Sequence, residues 1–209
     1  MVVRPNRTSE HTDGRTAEVY QTAAKIILQK GYDATSVSDI ADALGITKAG
    51  LYHYIRGKTE LLYDIMKYGL QELDREVMVP ARKIADPEER LRFVISTHAH
   101  LVTRGDGAVT ILVDEARALS PSQYRAVTRL KRAYLEFLRE TIEELRAHGK
   151  LRAVNSTVAA FSIIANVNWL SRWYQPDGGL SAQEIAGQIA DSTLFGMLKQ
   201  GKQRSLRAL

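Results

Sequence analysis

The stretch Ser36-Val37-Ser38-Asp39-Ile40-Ala41-Asp42-Ala43-Leu44-Gly45-Ile46-Thr47-Lys48-Ala49-Gly50-Leu51-Tyr52-His53-Tyr54-Ile55 decides how the chain is to be read. Val37, Ile40, Ala41 and Leu44 fall at three- and four-residue spacing, so a short helix carries them on one face. Thr35 or Ser36 stands where that helix needs an N-cap, and Gly45 stands where it ends. Ile46 is a buried-type residue in the turn. Thr47 then caps a second helix over residues 48–55. Two short helices that cross steeply over a glycine-containing turn make a helix-turn-helix.

Working outward, helix signals dominate and no convincing alternating strand is found. A first helix over 15–30 is marked by Val19, Ala23, Ile26 and Ile27, with Gly31 to end it. A long helix follows from Lys58 to about Met78, with Pro80 beyond. Asp86-Pro87-Glu88-Glu89, Ser120-Pro121-Ser122-Gln123 and Ser181-Ala182-Gln183-Glu184 each place cap, first turn and partner in order, and open three later helices. Two more are expected over 108–119 and 156–174. The reading is an all-α fold of about nine helices. A helix-turn-helix domain spans 1–62, with a mobile tail over 1–14, and a C-terminal helical domain for ligand binding and dimerisation spans 63–209.

If Val37, Ile40, Ala41, Leu44, Ile46, Leu51 and Ile55 pack together, Lys48, Ala49, Gly50, Tyr52, His53 and Tyr54 are left on the surface of the second helix. A lysine and small residues at its N-terminal end suit the meeting with base edges in the major groove. Tyrosine hydroxyls and a histidine can donate to phosphates, and Lys58 opens the next helix, itself an anion site. Thr35 and the caps Ser36 and Thr47 complete the candidate DNA-binding set. A generic helical hairpin with a solvated face is the plainer account, but two exposed tyrosines beside a lysine argue for use.

The whole chain agrees with a DNA partner without demanding one. Its 209 residues carry a net charge of +5, with basic residues at the start (Arg4, Arg7, Arg15) and in the tail (Lys199, Lys202, Arg204, Arg207). There is no cysteine, which excludes disulfide and thiolate chemistry. The first sixteen residues have no apolar core, and the longest apolar stretch, 158–170, is interrupted by asparagines and is too short for a membrane span. A cytoplasmic protein without membrane partners is expected. No nucleophile with an oriented base, paired-carboxylate site or phosphate-cradling glycine loop is present, so the chain does not read as an enzyme and no cofactor is expected. His98 and His100 point to different helical faces, a poor metal pair.

From Ala23-Ala24 through Gly31-Tyr32-Asp33-Ala34-Thr35-Ser36 and Leu44-Gly45-Ile46-Thr47 to Lys58-Thr59-Glu60-Leu61-Leu62, the chain resembles the N-terminal domain of TetR-family repressors. That resemblance implies an all-α homodimer that binds a palindromic operator and releases it when a small hydrophobic effector enters the C-terminal domain. Carried over by position, Thr35, Tyr52, Tyr54 and Lys58 hold phosphates, Lys48, Ala49 and Gly50 face base edges, and His53 serves either way. The family usually has His at position 54, Phe at 55 and Thr or Ser at 50, so one hydroxyl contact is missing here. It also implies a dimer through the helices at about 156–174 and 182–200.

The stretch Trp169-Leu170-Ser171-Arg172-Trp173-Tyr174-Gln175-Pro176-Asp177-Gly178-Gly179 looks like the branch of the family that controls fatty-acid and steroid breakdown and answers to acyl-CoA thioesters. Such a ligand needs an apolar tunnel and cations for its phosphates. Arg117, Asp114, Asn166, Trp169, Arg172 and Trp173 are the candidate ligand residues. Trp169 and Trp173 also fit a core or dimer stripe, and the acidic and basic members an ion network. Alternatives are a repressor answering another hydrophobic or aromatic compound, a helical small-molecule-binding protein, and a non-specific DNA binder.

Overall fold

The structure, a computed structural model, describes residues 7–105, 107–112 and 115–199. Helices α1 (Arg7–Lys30), α2 (Val37–Ala43), α3 (Lys48–Leu51), α4 (Lys58–Glu72), α5 (Val79–Ala81), α6 (Pro87–Thr103), α7 (Pro121–Ala147), α8 (Ser156–Trp173) and α9 (Ala182–Met197) follow in order. Among the described residues the sole β pairing is an isolated antiparallel bridge between Leu151 and Leu198. Two compact units emerge, one of residues 1–73 with 104–131 and one of 74–103 with 132–209. The boundary expected at residue 62 therefore falls within α4 and within the first unit.

The first unit packs α1, α2, α3 and α4 around Val19, Ala23, Ala24, Ile27, Ile40, Leu51, Ile55, Leu61, Leu62 and Ile65, all buried. Its second stretch of chain threads between two of these helices. Gly107, at φ 75°, lies so close to α1 that a Cβ would meet the Ala24 and Lys25 backbone at 3.2 Å. The next residue, Ala108, presses its carbonyl against Gly69 of α4. The helix expected over 108–119 is not formed. Ala108, Val109, Thr110 and Ile111 are buried, and the chain there makes 3₁₀ turns at Thr110–Leu112 and Glu115–Ala118. Its apolar residues fill a groove from a tight connector rather than from one helical face. Glu72, buried at the end of α4, is paired with Arg104 at 3.4 Å.

Other departures are local. The first helix starts at Arg7, ahead of Arg15. The long helix from Lys58 is α-helical only to Glu72, passes through a π-helical segment at Leu73–Met78 and resumes as α5. Pro80 has no N–H to close a bond back to Glu76, so a regular α-helix cannot run through this point unaltered. The final helix ends at Met197. The basic tail beyond 199 and residues 1–6 of the expected mobile tail lie outside the described residues, and residues 7–14 of that tail are the first turns of α1.

In the second unit α6 packs on both α8 and α9, with Leu91, Val94, Ile95, Leu138, Ile142, Ala160, Ile163, Val167, Leu170, Ala190 and Leu194 buried. The caps are those the sequence advertises. Asp86 Oδ1 accepts from the Glu88 and Glu89 amides, and Ser181 and Glu184 form a reciprocal capping box. Asn155 caps α8 by accepting from Thr157 and Val158.

Inside this unit His98 is buried and its Nδ1 lies 3.0 Å from the hydroxyl of Tyr134, with Asn168 beside the ring. His100 is exposed, so the two histidines do diverge. Burial lowers the His98 pKa from 6.5 to about 4. Between those values the unfolded chain binds a proton that the folded chain refuses, so stability is full above pH 6.5 and falls as pH drops toward 4. At about 1.4 kcal/mol per pH unit, this single group withdraws up to about 3 kcal/mol. Urea midpoints measured from pH 7 to 4.5 should show that slope in the wild type and a flatter one in His98→Asn; equal slopes would rule His98 out.

Candidate nucleic-acid interface

The helix-turn-helix is built by three local devices. Ser36 caps α2: its Oγ accepts from the Asp39 amide at 3.1 Å, and the Asp39 carboxylate accepts from the Ser36 amide at 2.7 Å. The same carboxylate accepts from Lys30 Nζ at 2.7 Å, and these bonds hold Asp39 well below the usual carboxylate range, the Lys30 bond contributing most. Gly45, at φ 64°, ends α2, and the Ile46 amide donates back to the Ala41 carbonyl at 3.0 Å. Thr47 caps α3 by accepting from the Gly50 amide at 3.0 Å.

This geometry sorts the candidate DNA residues. Lys48 and Ala49 are exposed at the start of α3, with Gly50 half-buried behind them. Among the described residues the Lys48 side chain has no hydrogen bond or ion pair. Thr47 is exposed and its cap uses only its oxygen as acceptor, which leaves its hydroxyl proton for an outside acceptor. Tyr52 and His53 are exposed and Tyr54 is half-buried. The α-helix itself stops at Leu51; the Tyr52, His53 and Tyr54 amides turn back on Lys48, Gly50 and Leu51, which seats Ile55 in the core.

Two candidates sit differently from the expectation. Thr35 is buried and its hydroxyl donates to the Gly31 carbonyl at 2.8 Å, so it shapes the turn from within and presents nothing to a phosphate. The Ser36 hydroxyl donates to Asp39 at 2.6 Å while accepting in the cap, so its one proton is already used.

Lys58 is the residue the fold treats with most care. Its Nζ donates to the Asp33 carbonyl at 3.2 Å and lies 4.3 Å from the centre of the Tyr32 ring. Sequence reasoning missed Tyr32, whose aromatic side chain next to Gly31 gave no periodic signal. It also missed a cleft of about 670 Å³ in this unit, whose walls include Tyr54, Arg56, Glu60, Tyr63, Asp64 and Gln123. Asp64 there is raised in pKa, chiefly by desolvation.

The candidate ligand residues are divided between the two units. Asp114 falls outside the described residues. Arg117 is exposed in a 3₁₀ turn of the first unit. Asn166, Trp169, Arg172 and Trp173 belong to the second unit and lie on the outer side of α8. Ala159, Ala160, Ile163, Val167 and Leu170 are buried, whereas 166, 169, 172 and 173 are exposed. Among the described residues no group of three or more His, Asp or Glu is placed to hold a metal ion, and no helix is long and apolar enough to cross a membrane.

Two family models match this chain. One, describing bacterial regulatory proteins of the tetR family, covers residues 19–65. The other, the tetracyclin repressor-like C-terminal domain, covers residues 85–197. The chain belongs to the TetR family of transcriptional regulators. Proteins of this family regulate transcription and are not enzymes, as the absence of catalytic motifs led us to expect. KstR2 of Mycobacterium tuberculosis, an HTH-type transcriptional repressor, is similar to this TetR-family chain at 28% identity over 202 residues, 94% of this chain and 99% of the relative. Its solved structure, described as a ketosteroid transcriptional regulator, matches with a TM-score of 0.80 at 26% identity, over 89% of this chain and 96% of that one. AibR in complex with isovaleryl coenzyme A and operator DNA matches with a TM-score of 0.75 at 37% identity, over 86% of this chain and 96% of that one.

Proposed function

We propose that this TetR-family regulator is a homodimeric repressor that binds a palindromic operator and is released by an acyl-CoA thioester. The observation that carries this reading is the likeness to AibR, solved with both an acyl-CoA and its operator, at 37% identity and across nearly the whole of that chain. In this reading Lys48, Ala49 and Gly50 meet base edges, while Thr47, Tyr52, Tyr54 and Lys58 hold phosphates, and His53 serves either purpose. The protein works in the cytoplasm, where its DNA is. The effector domain supplies an apolar site for the acyl chain, and Arg117 and Arg172 remain the candidates for the CoA phosphates.

Dimerisation runs through α8 and α9. Val158, Phe161, Trp169 and Trp173 line the outer side of α8, and Phe195 stands exposed on α9. A monomer that kept such a stripe in water would be exceptional. The likeness to KstR2 favours a variant of the same reading, in which the acyl group is a steroid degradation fragment.

The test is a titration of labelled duplex from immediately upstream of the protein's own gene. Tight, strongly salt-dependent binding is expected, and release by one member of a panel of short branched, long straight and steroid-derived acyl-CoAs. Tyr52→Phe combined with Lys58→Ala should weaken binding at least ~30-fold and lower the salt slope, because phosphate contacts release counterions. Binding that survives the double substitution intact would refute the interface. Failure of every CoA ester to release DNA would refute the effector and leave the repressor standing.

A further inference from the structure

A lysine is a poor phosphate contact unless something holds it. Its long four-carbon stem carries rotamer entropy that binding must overcome. Several cations among the described residues are held by carboxylates, as Lys30 is by Asp39 and Lys150 by Asp86 and Glu88. Such pairing fixes the side chain but cancels its charge. Lys58 is held otherwise. Among the described residues no carboxylate reaches its ammonium, which rests on the Tyr32 ring at 4.3 Å and donates to the Asp33 carbonyl at 3.2 Å.

The ring is itself anchored from two sides. Gly31, at φ 85°, turns the chain at the end of α1 and sets Tyr32 below the start of α4. The Tyr32 hydroxyl lies 3.2 Å from Thr59 Oγ1, in the first turn of that helix. The surface beneath the Lys58 ammonium is thus a neutral aromatic face, which attracts the cation without neutralising it. At least one ammonium hydrogen stays available for an outside acceptor.

We propose that Tyr32 is a positioning residue for DNA binding: its ring holds the Lys58 ammonium charged, ordered and uncompensated at the entrance of α4, ready for a phosphate. The proposal rests on Lys58 being a phosphate contact. Tyr32 itself touches no DNA. Its contribution is made before binding, by removing the cost of ordering the side chain.

A double-substitution cycle on the upstream duplex tests this, using the full-length protein. Lys58→Ala should weaken binding and reduce the salt slope. Tyr32→Leu, which removes the face, should weaken binding by ~5–30-fold for the dimer, since the loss occurs in both protomers. Tyr32→Phe, which keeps the face, should stay within ~2-fold. In the Lys58→Ala background Tyr32→Leu should cost almost nothing, because the group it positions is gone. An equal loss in both backgrounds, or no loss in either, overturns the positioning role. If Lys58→Ala alone leaves affinity and salt slope unchanged, the phosphate reading falls and the positioning role with it. Should Tyr32→Leu fail to fold, the free wild-type protein decides: side-chain protons at the end of Lys58 should be shifted upfield by the ring, and ordinary shifts would overturn the proposal.

Discussion

Trp169→Glu should leave the protein monomeric at micromolar concentration and weaken operator binding by about 10²-fold or more. The side chain is 64% exposed on α8, in line with Phe161 at 56% and Trp173 at 50%. Aromatic side chains bury about 150–250 Å² each when covered, and in a two-fold interface each is covered twice. The substitution therefore removes two indoles and places two carboxylates in a desolvated seam, where an unpaired charge is costly. DNA binding follows because a palindrome is held by two readers. Once they are separate molecules, the second half-site is no longer filled at the millimolar effective concentration that a linked pair provides. Sedimentation and a duplex titration check both parts. Tyr124→Glu, a substitution of a similarly exposed aromatic on α7, should remain dimeric. A Trp169→Glu protein that stays dimeric would locate the interface elsewhere.

Gly69→Ala should destabilise the protein by about 2–4 kcal/mol, a large effect for one methyl group. A Cβ at this position would lie 2.3 Å from the Ala108 carbonyl oxygen and 2.7 Å from its carbon. Both are backbone atoms, so no rotamer change relieves the clash, and Ala108, Val109 and Ile111 are buried alongside. The connector must lift off α4 or the helix must bend. Gly14→Ala gives the opposite sign. Nothing lies within 4 Å of a Cβ at Gly14, inside α1, so the substitution should add ~0.5–1 kcal/mol through helix propensity. Denaturant titrations of the two variants should move in opposite directions; a neutral Gly69→Ala would mean that the connector is loosely seated.

What the sequence reveals about this fold is what short-range chemistry controls. Ser36 with Asp39 and Ser181 with Glu184 advertise helix starts because both halves of the capping box lie within four residues. Gly31 and Gly45 mark helix ends because each adopts a positive φ. The all-α reading and the reader helix follow from such signals. The segment 108–119 was misjudged because burial by distant chain mimics an amphipathic pattern. Its partners Ala24, Leu28 and Gly69 are far away in sequence. Thr35 was misjudged because a threonine hydroxyl at a turn can face outward or bond inward, and only the fold decides. Trp169 and Trp173 were legible as a stripe, yet which way the stripe faces depends on how α6 and α9 cover the other side of α8. Tyr32 was not singled out within its motif because its contact is with Lys58, twenty-six residues on.

The threading of Gly107–Ile111 between α1 and α4 bears on how operator specificity can be exchanged among relatives. A chimera joined at residue 62 would carry α1 without the connector that covers Ala24 and Leu28. The reader is not a detachable cassette, because its core is completed by chain returning from beyond residue 103. Specificity in this architecture is best recoded in place, at the exposed positions 48 and 49, with the buried scaffold left to its own connector.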